Sequence, residues 1–386
     1  VVEEIRPLSI FQILDKNEFS TGSVHQMFQA AVGLRERGHA VSIVSRDDST
    51  LAGKAREHGV DFFSAPFSSE VDLRTISMLR KLLQTRRPDV IHVHKGRPHT
   101  LALAASWFSP VPAFVVNRGV SFPLTLWNRP KYRTGRVDRV VTVCEQIRQV
   151  VVSSGRLSPE KVDVVYAGTD MAFFDREKYD PLSFRTEKRI PLDRFVITQV
   201  GVRDWKGWRE LIRAFSDVHR RNSLTHLVLV GCRTEQVRRE VEVFAQACSV
   251  ADAVSAVEVR DDIPSVFAAS DCIADASWAG TGITGTVREG MAMGKPVVAT
   301  DCGGNVELVS SPQIGWLVPP RDQDALTRAL LEVLENPSHR MAVGDNAMHH
   351  VRSSFSKDVR ITRLENLYRE IIRSKALKPR PLRRER

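Results

Sequence analysis

The chain has 386 residues, 42% of them hydrophobic and 26% charged, with a formal net charge of +10. That length and apolar content suit two ordinary domains, each with its own core. No apolar run approaches the roughly eighteen residues of a membrane-spanning helix, and the stretch VVEEIRPLSIFQILDKNEF is acidic and turns polar too early for a secretory signal.

Taken in order, short apolar runs alternate with helical patterns. SIFQIL reads as a strand, SVHQMFQAAVGLRERG as a helix, and AVSIVSR as a second strand. RTISMLRKLLQTRRP is helical, and DVIHVH, AFVVNRG, RVVTV and KVDVVYAG are further strands. The polar, twice proline-interrupted stretch DMAFFDREKYDPLSFRTEKRIPLDRF breaks the rhythm and reads as containing a linker. The alternation then restarts with strands FVITQVGV, HLVLVG, AVSAVEV, DCIADAS and KPVVATD, and with helices GWRELIRAFSDVHRR and QDALTRALLEVLEN. Strand–helix alternation predicts α/β domains with parallel, doubly wound sheets. The expected boundaries are 1–172 for the first domain, 173–194 for the linker and 195–352 for the second domain. Residues 353–386 form a C-terminal helix, returning to the first domain, and a basic tail. Nucleotide-type ligands bind at the carboxyl ends of such strands, and a cleft between two such domains is a natural site.

Three places suit an anion. In Ser20-Thr21-Gly22-Ser23 a helix begins after the first strand, and free N–H groups with a close-approach glycine favour a phosphate. Gly201-Val202-Arg203-Asp204-Trp205-Lys206-Gly207 follows FVITQV and puts two cations at a strand end, where Arg forms a fork and Lys a point charge. TGITGTVREGMAMGKPVVATDCGGN, residues 281–305, joins a Gly/Thr loop to a helix carrying Glu289. A carboxylate one or two turns into such a helix is placed to accept from a ribose diol. His92 and His94 share one face of a strand by alternation, with no acidic or Cys partner evident for a metal. The five cysteines, Cys144, Cys232, Cys248, Cys272 and Cys302, show no metal-ligand spacing and fit a reducing compartment.

On the blocks RPDVIHVHKG, VDRVVTVCEQIRQVV, VGVRDWKGWRELIRAF, DDIPSVFAASDCIADAS, REGMAMGKPVVATDCGGNVELV and GWLVPPRDQDALTRAL, the chain resembles the retaining GT-B glycosyltransferases of family 4. The resemblance covers nearly the whole sequence. It implies two Rossmann-like domains facing each other across a cleft, and transfer of a sugar from a nucleotide-sugar, UDP- or GDP-linked. Arg203 and Lys206 would bind and stabilise the departing diphosphate in place of a metal, and Glu289 would hold the ribose. Backbone groups at Gly201 and from Thr281 through Gly282, Ile283, Thr284 and Gly285 to Thr286 would contact phosphates and sugar, with Gly22 approaching from the first domain. The released phosphate oxygen would take the acceptor's proton, so no protein nucleophile and no cofactor is implied.

Two departures stand out. The family signature places two glutamates eight positions apart; the second is Glu289, and the first falls on Thr281. Where many members carry a His before a glycine, this chain has Arg118, which either meets an anionic sugar or acceptor or simply caps a loop. His94 and Lys95 are candidates for acceptor contact. TLWNRPKYRTGRVDR interleaves Trp127 and Tyr132 with Arg129, Lys131, Arg133 and Arg136, which suits an anionic lipid interface. With the basic tail it predicts a cytoplasmic protein at the inner membrane face, acting on a glycolipid, lipopolysaccharide or polysaccharide acceptor. A non-catalytic nucleotide-sugar binder and a related epimerase are the alternatives. Nucleic acid is not an expected partner, since charge alone supports it.

Overall fold

The computed structural model describes residues 6–16, 22–47, 49–280 and 282–377. The chain forms two compact units, Val1–Gly168 with Lys357–Arg386, and Thr169–Ser356.

In unit 1 the strands are β1 (Ser9–Leu14), β2 (Ala40–Ser45), β3 (Asp61–Ser64), β4 (Val90–His94), β5 (Ala113–Arg118), β6 (Arg139–Thr142) and β7 (Val162–Val164). Between them run α1 (Gly22–Glu36), α2 (Ser49–Glu57), α3 (Leu73–Arg86), α4 (Gly96–Ser106), α5 (Arg129–Arg133) and α6 (Glu145–Gly155). The sheet order is β3-β2-β1-β4-β5-β6-β7, with parallel pairing throughout. Strands buried on both faces read as continuous apolar runs, which is why SIFQIL and VIHVH stand out. The short strand β3, Asp61-Phe62-Phe63-Ser64, was not expected; it lies at the sheet edge with polar ends.

Unit 2 contains α7 (Pro181–Glu187), β8 (Phe195–Val200), α8 (Trp208–Arg221), β9 (Thr225–Cys232), α9 (Glu235–Ala247), β10 (Val254–Glu258) and α10 (Ile263–Ala268). It continues with β11 (Cys272–Asp275), α11 (Gly285–Ala292), β12 (Val297–Thr300), α12 (Asn305–Leu308), β13 (Trp316–Val318), α13 (Gln323–Glu335) and α14 (Pro337–Ser354). The order is β10-β9-β8-β11-β12-β13, again parallel. Helix α8 buries Trp208, Leu211, Ile212, Phe215 and Val218, spaced three and four apart on one face. Each such side chain contributes about 1.5–3 kcal/mol when fully withdrawn from water.

The segment 173–194 is not a free linker. Asp180 caps α7 by accepting from Leu182 N, with Pro181 at the first helical position. Phe184 then packs with Val196, Val228 and Val266. Arg185 donates to the Ala269 carbonyl at 2.9 Å and to Asp271 at 2.7 Å, so the segment is part of unit 2.

The last helix, α15 (Lys357–Leu377), belongs to unit 1 and buries Ile361, Leu364, Leu367, Tyr368 and Ile371. Residues 378–386, with most of the basic tail, lie outside the described residues. Tyr368 reaches a polar cluster under the sheet. Its hydroxyl shares a 2.6 Å hydrogen bond with His92 Nδ1 and accepts from Gln12 Nε2 at 3.4 Å. His94 Nε2 donates to Gln12 Oε1 at 2.7 Å, and the two imidazoles stack 4.5 Å apart. Burial pushes both imidazoles below their ordinary range, His94 to about 3, so both are neutral at pH 7.

Tyr368→Phe leaves His92 Nδ1 without its partner in the interior. Urea denaturation is expected to show a loss of about 1–3 kcal/mol. The histidines also set an acid limit. Their folded values lie below the unfolded 6.5, so their contribution is complete above pH 6.5 and is lost as pH falls toward 3. Denaturation midpoints at pH 7 and pH 5 are expected to fall for the wild type and to fall less for His94→Gln.

Candidate functional site

The order β9-β8-β11-β12 places a topological switch between β8 and β11, and ligands of open α/β sheets bind outside the carboxyl ends at that point. The loop after β8 begins at Gly201, whose φ of +104 favours glycine, and its N–H donates to Val230 O at 2.7 Å. Arg203 is exposed, and it precedes a short 3-10 turn, Asp204–Lys206. Gly207 closes that turn at φ +64, where a Cβ would overlap the Ala276 carbonyl oxygen. The glycine therefore lets the Arg203–Lys206 loop lie against the end of β11.

Side chains stitch the same two loops together. Buried Gln199 donates to Lys206 O at 3.1 Å and accepts from Ala276 N at 2.9 Å. The Trp278 indole donates to Asp204 O at 2.9 Å. Lys206 Nζ lies 3.0 Å from Asp275 Oδ1 and 5.1 Å from the centre of the Trp205 ring.

The third segment runs from β11 into α11. Thr281 lies outside the described residues. Gly282 O accepts from Gly304 N at 3.1 Å, joining the loop to the turn that starts α12. Thr284 differs from expectation. Its N–H donates to Asn305 Oδ1 at 3.0 Å and its hydroxyl to Asp275 Oδ2 at 3.1 Å, so both groups are committed within the protein. No side chain caps α11. Its first-turn amides, at Gly285, Thr286 and Val287, are the donors left to meet an anion at the positive end of the helix dipole. Ile283 is half-buried beside them.

Glu289 follows one turn later, and its Oε1 lies 3.6 Å from where a Cβ on Gly285 would stand. The carboxylate therefore reaches back over the first turn. Burial raises its pKa, while Arg288 and Lys206 oppose the shift. Arg288 points elsewhere, donating through Nε to the Thr169 hydroxyl at 2.6 Å.

In unit 1, Gly22 opens α1 with space around its Cα, while Ser20 and Thr21 lie outside the described residues. His94 is buried and committed to Gln12, which differs from a strand-end acceptor contact; alternation turned its side chain to the packed face. Lys95 caps α4 at φ 74 and ψ 172, a conformation side chains rarely adopt. Arg118 ends β5 and donates to Tyr132 OH at 3.3 Å and to Phe122 O. The aromatic and basic stretch divides. Trp127 is 92% exposed, whereas Tyr132 is buried and Lys131 turns inward to Gly96 O and Thr100.

Sequence reasoning missed Gln199, Asp275 and Asn305. For Gln199 and Asp275 the available signal was position, a polar residue near the end of each strand flanking the switch point; Asn305, at the start of α12, carried no such signal. Among the described residues no group of three or more His, Cys, Asp or Glu could hold a metal, and no helix is long and apolar enough to cross a membrane.

Each unit is built on a parallel α/β sheet, and in unit 2 cations and a helix N-terminus lie at the switch point, an arrangement that suits a nucleotide-type ligand. The family models agree on a narrower placement. Residues 194–336 match the "Glycosyl transferases group 1" model and residues 20–173 the "Glycosyltransferase Family 4" model. A D-inositol 3-phosphate glycosyltransferase of Salinispora arenicola is 30% identical over 313 residues, covering 74% of this chain and 69% of that protein. The Escherichia coli UDP-Gal:alpha-D-GlcNAc-diphosphoundecaprenol alpha-1,3-galactosyltransferase is 22% identical over 322 residues, covering 79% and 81%. Anabaena HepE, solved in complex with UDP, superposes with a TM-score of 0.81 at 18% identity, covering 94% of this chain and all of that one. The chain belongs to the group 1, family 4 glycosyltransferases and has the GT-B fold.

Gly207→Ala forces a left-handed residue with a side chain against the Ala276 carbonyl. It is expected to destabilise unit 2 by at least about 2 kcal/mol, measured by chemical denaturation.

Proposed function

We propose that the protein is a retaining, metal-independent glycosyltransferase. It moves a sugar from a UDP- or GDP-linked donor to a glycolipid, lipopolysaccharide or polysaccharide acceptor. The observation that carries this reading is the meeting of Lys206, the uncapped start of α11 and Glu289 at the β8–β11 switch point, with Arg203 on the adjoining loop. The amides of Gly285 and Thr286 receive the diphosphate. Lys206 and Arg203 offset the negative charge that grows on it as the sugar departs, and fixed cations of this kind lower the barrier without reorganising. Glu289, in its ionised form, accepts from the ribose hydroxyls.

The acceptor class draws on the relatives. The E. coli enzyme is named for a UDP-linked donor and a lipid diphosphate acceptor, and the S. arenicola enzyme for an inositol phosphate. In this chain Arg118, at the carboxyl end of β5, is suited to an anionic acceptor. Phe122, Leu126 and Trp127 are exposed in the loop before α5, and exposed Arg133 lies within that helix. Apolar tips with basic residues behind them support peripheral contact with an anionic membrane face.

Thr281, at the position of the family's first glutamate, favours a second reading as a nucleotide-sugar binder without turnover. A thermal-shift screen with UDP-, GDP-, ADP- and CMP-sugars tests the donor site. One base is expected to raise Tm, by about 2.7 kcal/mol of added stability at a hundred times Kd, and Glu289→Ala to lose most of the shift. No shift with any of them at millimolar concentration would refute the donor site. Release of nucleoside diphosphate that depends on added acceptor separates the enzyme from the binder.

A further inference from the structure

Asp275 is 1% exposed at the last position of β11, and among the described residues its hydrogen-bond partners are all donors. Its Oδ1 accepts from Lys206 Nζ at 3.0 Å and Ser277 Oγ at 2.7 Å. Its Oδ2 accepts from Thr284 Oγ1 at 3.1 Å and Asn305 Nδ2 at 3.3 Å. These donors come from four places: the loop after β8, the segment just past β11, the residue that precedes α11 and the start of α12. Asn305 extends the network by donating to Thr300 O at 3.1 Å and accepting from Thr284 N at 3.0 Å.

We infer that Asp275 is the positioning residue and counter-charge of the donor site. The inference rests on the donor-site reading above. Its first effect is geometric. A carboxylate this deeply buried is costly unless both of its oxygens are hydrogen-bonded, so its donors are held to it. The same four bonds therefore hold the ammonium of Lys206 at a fixed place relative to the first turn of α11. Its second effect is electrostatic. Lys206 is a cation already partnered, so an arriving diphosphate shares it with Asp275 and meets the repulsion of a carboxylate behind it. Once the sugar has left, the nucleoside diphosphate carries one more negative charge than the sugar ester it came from. A site with Arg203 and Lys206 uncompensated would hold that product too firmly; Asp275 lets it go.

The two effects are separable by the sign of a binding change. A residue that only kept the loops in shape would, when altered, weaken nucleotide binding. A counter-charge would, when neutralised by a side chain of the same shape, strengthen it. UDP, GDP, ADP and CDP are titrated by calorimetry into wild type, Lys206→Met and Asp275→Asn. Wild type is expected to bind at least one of them, and Lys206→Met to bind it about tenfold more weakly. Asp275→Asn is expected to bind it roughly three- to tenfold more tightly at low salt, with the gain shrinking as salt is raised. Equal or weaker binding by folded Asp275→Asn overturns the counter-charge.

The pairing itself is read without ligand. Lys206→Met strands the Asp275 carboxylate and is expected to lower Tm. Adding Asp275→Asn to that variant removes the stranded charge and is expected to restore part of the loss. A double variant no more stable than Lys206→Met overturns the pairing, and this comparison holds even if Asp275→Asn alone does not fold. If wild type binds none of the four nucleotides, the donor-site reading fails and the counter-charge role with it, while the Tm cycle still reports separately on the ion pair.

Discussion

Burying a carboxylate is costly unless its oxygens are hydrogen-bonded, and four segments of unit 2 supply donors to Asp275. Lys206, Ser277, Thr284 and Asn305 come from segments up to a hundred residues apart in sequence, and each is brought to the same two oxygens. Gln199 does a parallel service, holding the backbone of both loops. The geometry at the start of α11 is thus fixed by polar bonds that satisfy one another, with little left for solvent to disturb.

Why this happens at β8 and β11 follows from the sheet. A parallel sheet sends its neighbouring crossovers to opposite faces where the strand order reverses, and the loops there diverge to leave a crevice. The carboxyl ends of the strands point into it, and the helices that follow begin there, with their unpaired N–H groups outward. Glycine supplies the remaining requirement. At Gly207 a side chain would collide with the backbone of the adjoining loop, so close approach and left-handed conformation coincide at one residue.

The sequence made the regular parts plain for a physical reason. Strands covered on both faces must be apolar throughout, so SIFQIL, FVITQV and KPVVATD show themselves without any partner. Edge strands need not be. β3 is four residues with polar ends, and β13 is three, and neither carries a periodic signal. Segment 173–194 misled because its composition is polar, although Phe184 and Arg185 anchor it to unit 2 through two residues only legible in three dimensions. The candidate site was half legible. Arg203, Lys206 and Glu289 sit beside glycines and strand ends, which is a pattern in one dimension. Asp275 and Asn305 owe their importance to each other, across thirty residues, and no local pattern records that. His94 and Thr284 show the converse: both have the right chemistry at the right end of an element, and both are occupied by neighbours.

The route of the chain through its two units has a consequence for how the molecule is made. Unit 2 is one unbroken stretch, whereas unit 1 is interrupted by all of it and is completed by α15. During synthesis unit 2 has every strand and helix in hand while unit 1 still lacks the helix whose Tyr368 bonds Gln12 and His92. The nascent first unit therefore waits, until residues 357–377 emerge, with the apolar surface later covered by Ile361, Leu364, Leu367 and Ile371 open and with Gln12 and His92 lacking the Tyr368 hydroxyl. For that interval the half-built unit is held together by the apolar core of its sheet and first helices alone.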